Sequence, residues 1–218
     1  MGLTSAFHAV GWGHPHDGHE FTEADRAGPG IDAYAKSKTL AEQAAWNFLT
    51  DGSTELATML PVAVMGPVME KGVSGANHLV QRMLSGALPA MPRLFIPIVD
   101  VRDVAQAHIL AMTIPEAASQ RFLLSNGPAP ELKDITAIIR VRLGAETEKV
   151  PTNTVPDEVV RAAAESNPQF REMVPDLGYA KKTSNDKARR VLGWNPGDPA
   201  DAISSAAESM ARKGLVSA

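Results

Sequence analysis

Residues 33–49 carry the sequence AYAKSKTLAEQAAWNFL, and residues 56–65 carry LATMLPVAVM. In the first stretch, apolar residues recur every three or four positions, which predicts a helix: Leu40, Ala41, Ala44, Ala45 and Phe48. Gly52 lies just beyond it, where helices commonly end. The second stretch is a continuous apolar run that stops before Gly66 and Pro67, as a buried strand does. A helix followed by a buried strand predicts an α/β fold with parallel strands.

The flanking sequence extends this pattern. Residues 3–10 are typical of a strand end. We expect further strands at 94–99 and at 121–125. Pro97 favours a sheet edge or a strand end for the first of these. Helices are predicted at 75–84, 101–113, 132–143, 155–164, 186–192 and 200–213, with Asp100 as an N-cap. Only two strands precede Gly66, whereas parallel sheets normally have both faces covered. Either another chain completes the sheet, or the sequence begins in the middle of a domain.

The composition excludes several classes of protein. Of the 218 residues, 44% are hydrophobic and 21% charged, as in a globular protein with a core. The longest apolar runs are too short to span a bilayer, and a net charge of −4 argues against a dedicated nucleic-acid binder. The absence of cysteine removes disulfides, thiolate metal sites and a cysteine nucleophile. A cytoplasmic protein is the expectation.

Tyr34 and Lys38 are four residues apart, so the predicted helix places them on one face. A free phenol has a pKa near ~10 and exchanges protons poorly at neutral pH. A lysine ammonium one turn away favours the phenolate and lowers that value. Such a pair can protonate a carbonyl oxygen while hydride leaves a nicotinamide. On spacing alone, however, a surface tyrosine packed on a lysine stem is the more common explanation.

Five segments in order carry a more specific signal. They are LTSAFHAVG at 3–11, YAKSKTLAE at 34–42, LPVAVMGP at 60–67, VDVRDVA at 99–105 and KARRVLGWNP at 187–196. With them the chain resembles the extended short-chain dehydrogenase/reductase family, of the epimerase/dehydratase superfamily, and especially its aldehyde-reductase and dihydroflavonol-reductase-like branch. The resemblance implies a Rossmann-like, doubly wound parallel sheet with a smaller, mostly helical substrate-binding region.

The resemblance also implies a reaction and its residues. Tyr34 would be the catalytic acid/base, and Lys38 would support it and hydrogen-bond the nicotinamide ribose. Pro61, Ala63 and Val64 would form a strand end beside the nicotinamide carboxamide. The implied activity is NAD(P)-dependent transfer of hydride to or from a small carbonyl or alcohol substrate, with NADP or NAD as cofactor.

Two departures from the family pattern stand out. Ala6 occupies the position of a serine or threonine that hydrogen-bonds the substrate carbonyl, and a methyl group cannot donate that bond. We expect Ser5 to take over this catalytic role, with another group or an impaired site as the alternatives. The second departure is that no glycine fingerprint for a dinucleotide occurs at a strand-to-helix turn. The sequence is therefore expected to lack the N-terminal cofactor-binding half.

The resemblance assigns residues 1–66 to the C-terminal part of the Rossmann-like domain. Residues 67–218 would be mainly substrate-binding, with 94–125 returning to the core. Two other functions stay open: a nucleotide-sugar epimerase or dehydratase, and a non-catalytic binding protein of the same fold. Expected partners are a small substrate and a second copy in a homodimer, with neither nucleic acid nor membrane.

The segment before the helix holds the densest set of potential metal ligands: His14, His16, Asp17, His19 and Glu20. A His-x-His pair is compatible with zinc or nickel. A polar, solvated loop is the simpler interpretation, and no metal site is predicted.

Overall fold

The computed structural model describes residues 1–49 and 54–216, so Gly52, the predicted helix stop, lies outside the described residues. The strands are β1 (Gly2–Thr4), β2 (Glu20–Phe21), β3 (Ala57–Pro61), β4 (Ala63–Met65), β5 (Met91–Pro92), β6 (Ile98–Asp100), β7 (Gln120–Leu124), β8 (Thr154–Val155) and β9 (Lys182–Thr183). The helices are α1 (Ala33–Phe48), α2 (Asn77–Ser85), α3 (Val101–Thr113), α4 (Leu132–Leu143), α5 (Asp157–Ala164), α6 (Pro168–Met173), α7 (Asp186–Leu192) and α8 (Pro199–Arg212).

The largest sheet has three parallel strands in the order β1-β3-β7. Every residue of β3 is buried, as expected for a central parallel strand with both faces covered. Leu3 lies opposite Thr58, and Thr58 lies opposite Arg121. Among the described residues, β1 pairs with β3 alone. The predicted α/β fold with parallel strands is confirmed.

Two strand predictions need correction. The apolar run 56–65 forms two strands rather than one: the Val62 N–H still donates to the Leu124 carbonyl of β7, whereas the Ala63 N–H donates to the Pro97 carbonyl. Of the expected strand at 94–99, only the end is β6. The preceding residues lie outside this strand, and the Ile96 N–H donates to the Pro130 carbonyl of a loop. Continuous hydrophobicity predicted burial but could not locate the change of hydrogen-bonding partner.

The helix predictions are confirmed to within two residues at nearly every end, and side-chain caps explain several starts. Asp32, Asp100 and Asp198 each accept a hydrogen bond from a backbone N–H of the helix they precede, α1, α3 and α8 respectively. Such a cap stabilises a helix by about 1 kcal/mol. The apolar stripe that predicted α1 faces outward, since Leu40 is 53% and Phe48 84% exposed.

The chain divides into two compact units. The first comprises Met1–Val62, Val99–Gly127 and Lys181–Gly197, and it contains the three-stranded sheet with α1, α3 and α7. The second comprises Ala63–Ile98, Pro128–Ala180 and Asp198–Ala218. Its core packs α2, α4 and α8 around buried side chains such as Met83, Ile135 and Ile203. No helix among the described residues is long and apolar enough to cross a membrane.

Candidate active site

Tyr34 lies in the first turn of α1, directly after the cap. The Asp32 carboxylate accepts a hydrogen bond of 2.8 Å from the Ala35 N–H, which fixes where the helix begins. The tyrosine side chain is 54% exposed. The Lys38 Nζ lies 5.7 Å from the centroid of the Tyr34 ring, so the structure brings together the pair that the sequence predicts. The ammonium is within the range of a cation–π contact with the ring.

A second group, which sequence reasoning missed, contacts the same tyrosine. The 3-10 turn at Phe7–Ala9 follows β1 and presents the His8 ring edge-on to Tyr34, with 4.7 Å between ring centroids and 90° between planes. The His8 ring also stacks on the Trp12 ring, with 3.8 Å between ring centroids. The sequence signal that could have indicated His8 is a polar residue within the otherwise apolar segment after β1.

Glu42 links α1 by hydrogen bonds to all three strands of the main sheet or to the residue directly after a strand. Its carboxylate accepts hydrogen bonds from the Ser5 hydroxyl at the end of β1, from the Thr58 hydroxyl in β3 and from the Arg121 guanidinium in β7. The Glu42 and Arg121 side chains are 5% and 8% exposed. A buried ion pair of this kind holds its partners firmly, because either charge would be costly to bury alone. Glu42 therefore positions the helix that carries Tyr34.

Ser5 takes part in this buried network. Its hydroxyl proton is donated to Glu42 Oε2 at 2.9 Å, and the residue is 6% exposed. To donate to a substrate carbonyl, the hydroxyl would have to turn away from the carboxylate. The catalytic role expected for Ser5 remains a prediction. Ala6 beside it is also buried and brings no hydrogen-bonding side chain.

The strand-end residues expected near the nicotinamide occupy two strands. Pro61 is buried at the last position of β3 and lies opposite Leu124 in β7. Ala63 and Val64 are half-buried in β4. Their predicted contact with a cofactor stays a prediction.

Asp100 and Asp103 have structural partners. Asp100 caps α3 and pairs with Arg102, whose hydrogen bonds outweigh the effect of burial and hold the pKa of that carboxyl below its ordinary value. Asp103 accepts a hydrogen bond from the Gly197 N–H, and its backbone carbonyl accepts one from the indole of Trp194. Burial raises the pKa of the Asp103 carboxyl. The segment 187–196 thus folds back onto the start of α3.

The histidine-rich loop is held by bonds within the protein. The His14 Nε2 lies 2.9 Å from the carbonyl oxygens of Val10 and Arg26, and His19 pairs with Asp25. In the described part of the chain, no three His, Asp or Glu side chains gather where they could hold a metal ion.

Comparison with known proteins finds relatives among reductases. Cinnamoyl-CoA reductase CAD2 of Medicago truncatula is 33% identical over 129 residues, 56% of this chain and 39% of that protein. Ketoreductase azaE of Aspergillus niger is 30% identical over 190 residues, 81% of this chain and 50% of that protein. The crystal structure of yeast methylglyoxal/isovaleraldehyde reductase Gre2 with NADPH superposes with a TM-score of 0.76 over 99% of this chain and 64% of that one.

These relatives confirm the resemblance of the chain to the extended short-chain dehydrogenase/reductase family. At 24% identity, the likeness to Gre2 shows the Rossmann-like fold, and the reductase relatives agree with the resemblance seen in the sequence. No family model matches the chain. The chain spans half or less of the length of these two reductases.

Proposed function

We propose that this chain carries the proton-transfer machinery of an NAD(P)-dependent carbonyl reductase. The observation that carries the proposal is the pairing of an exposed Tyr34 with Lys38 on the capped first turns of α1. The relatives that match by sequence are named reductases, which favours carbonyl reduction over the sugar-nucleotide alternative.

The proposed reaction divides the work between two side chains. When bound, NAD(P)H supplies the hydride that adds to the carbonyl carbon. Tyr34 donates its hydroxyl proton to the carbonyl oxygen, so the carbon–oxygen double bond becomes the C–H and O–H of an alcohol. The Lys38 ammonium stabilises the negative charge that develops on the phenol oxygen as the proton leaves. Bulk solvent then returns a proton to the tyrosine.

Tyr34 and Lys38 are suited to the nicotinamide end of the cofactor. Tyr34 and Lys38 offer a hydroxyl and an ammonium on an open helix face, which suits the hydroxyls of a nicotinamide ribose. Pro61, Ala63 and Val64 are proposed to approach the carboxamide through their backbone. The 218 residues contain no glycine-rich turn of the kind that cradles a pyrophosphate. NADPH is the form bound in the Gre2 structure, and we propose it for this chain ahead of NADH.

A binding and turnover experiment tests this function. The chain is titrated with NADPH and with NADH, following nucleotide fluorescence and thermal stability, and is then assayed for NADPH oxidation with methylglyoxal. We expect weak but saturable NADPH binding through its nicotinamide end, with a small rise in melting temperature, and slow formation of the alcohol. Failure to bind either nucleotide would contradict the proposal for this chain.

The alternatives predict other outcomes. An epimerase or dehydratase would be stabilised by a nucleotide sugar such as UDP-glucose and would convert it without net oxidation of the nicotinamide. A non-catalytic binding protein would show no turnover with either class of substrate.

The homodimer and the cytoplasmic location expected from the sequence also remain proposals. The exposed apolar stripe of α1 supports the homodimer.

A further inference from the structure

The hydroxyl groups around Ala6 are engaged with protein partners. Ser5 donates to the buried carboxylate of Glu42. The Thr4 hydroxyl lies 2.8 Å from His108 Nε2. A carbonyl oxygen that gains negative charge during hydride addition is best stabilised by a preorganised donor beside the proton donor. The position that supplies a hydroxyl in the resembled family is a methyl group here, so an active site would need this donor from another side chain.

His8 is a second polar side chain, besides Lys38, that the structure places against Tyr34. The two rings meet at right angles with centroids 4.7 Å apart. An imidazole carries at least one N–H donor in either charge state. His8 is two residues beyond Ala6, where the chain leaves its extended course and enters the 3-10 turn. That turn places His8, rather than the residues at the end of β1, against Tyr34.

The histidine ring is held in place by its neighbours. Trp12 stacks on His8 with 19° between the ring planes, and the Lys181 Nζ lies 4.6 Å from the Trp12 ring. The tight turn around Phe7 requires glycine at position 11, because a Cβ there would clash with the Phe7 ring. A side chain fixed in this way loses little conformational entropy when it binds a substrate.

We propose that His8 is a catalytic residue that donates an N–H hydrogen bond to the substrate carbonyl oxygen, beside the Tyr34 hydroxyl. His8 keeps its proton throughout. The proton that ends on the alcohol comes from Tyr34, so the stoichiometry of the reduction is unchanged. The inference rests on the proposed function, because it concerns the carbonyl that this function would reduce.

A spectroscopic test reads this hydrogen bond without hydride transfer. The probe is 4-(dimethylamino)cinnamaldehyde, an aromatic aldehyde whose absorption band moves to longer wavelength when its carbonyl oxygen accepts a hydrogen bond. We expect the full chain to shift the band, H8A to lose the shift, and the double variant A6S/H8A to recover it. H16A is the matched control, since His16 is an exposed histidine of the following loop, and it should behave as wild type.

Kinetics provide the second readout. With methylglyoxal and NADPH, H8A is expected to lower kcat by roughly 10²–10³-fold, the usual effect of removing one donor to a developing oxyanion, while NADPH affinity is unchanged. A band shift that persists in H8A, or a wild-type chain that never shifts the band, would overturn the role of His8. Failure of the proposed function looks different, because it is the absence of NADPH binding and turnover in the wild-type chain.

Discussion

The Arg121 Nε donates to Glu42 Oε1 at 2.7 Å, although the two residues are 79 positions apart in sequence. The bond crosses from the last strand of the main sheet to the middle of α1, and both side chains are buried. It extends further, because the Arg121 guanidinium also donates to the backbone carbonyls of Glu23 and Asp25. One ion pair therefore links the sheet, the helix that carries Tyr34 and the loop that precedes that helix.

Removing one partner of this pair is the first prediction. E42Q leaves the Arg121 charge buried without its counterion, so the free energy of unfolding is expected to fall by about 3–5 kcal/mol. Urea denaturation at pH 7 measures it. E208Q, which breaks the exposed pair of Glu208 with Arg142, is the control and should cost about 1 kcal/mol or less. Equal losses in the two variants would contradict the anchoring role of Glu42.

The start of α1 yields a second prediction. D32A removes the acceptor of the Ala35 N–H and should lower stability by about 0.5–2 kcal/mol. Because Tyr34 lies in the turn that this cap fixes, kcat should fall as well. D198A removes the equivalent cap of α8, so it should cost similar stability without the fall in kcat. Identical kinetic effects from the two variants would show that the cap does not position the tyrosine.

The third prediction concerns pH. The Arg93 guanidinium donates a 2.6 Å hydrogen bond to Asp157 and holds the pKa of that carboxyl below its ordinary 3.8. A lowered pKa stabilises the fold above the unfolded-state value, and this contribution is lost as pH falls through the folded-state value. Wild type should therefore unfold at a higher urea concentration than D157N at pH 7, with a difference that shrinks below about pH 3.8. E70Q, at an exposed position of the same unit, is the control. A pH-independent difference would contradict the ion pair.

The outward stripe of α1 provides the fourth prediction. If a second copy covers it, replacing the exposed Phe48 by glutamate in F48E should shift a dimer to monomer in sedimentation at micromolar concentration, because a charge would be buried unpaired in the interface. V141E, which changes an exposed apolar residue of α4, should leave the mass unchanged. A wild-type chain that sediments as a monomer would contradict the homodimer.

Much of this architecture could be predicted from sequence, because it follows local rules. The periodicity of residues 33–49 predicted α1, and Asp100 predicted the start of α3. The four-residue spacing of Tyr34 and Lys38 predicted their contact, since one helical turn fixes it. These features depend on neighbours along the chain.

The other features depend on long-range contacts. Nothing near Glu42 in sequence indicates that a charged residue of α1 is buried, because its partner comes 79 residues later. The Ser5 hydrogen bond to the same carboxylate depends on a helix 37 residues away. The end of β3 at Pro61 and the start of β4 at Ala63 follow a change of partner, because the Ala63 N–H donates to the Pro97 carbonyl. Hydrophobic pattern cannot supply such pairings.

The most direct test of the central claim is NADPH-dependent reduction of methylglyoxal by Y34F, compared with Y179F. These are the two tyrosines of the chain, so the second variant controls for loss of a phenol elsewhere. We expect Y34F to lose roughly 10²–10⁴-fold in kcat while it still binds NADPH, and Y179F to retain wild-type turnover. A Y34F variant as active as wild type would contradict the assignment of Tyr34 as the proton donor.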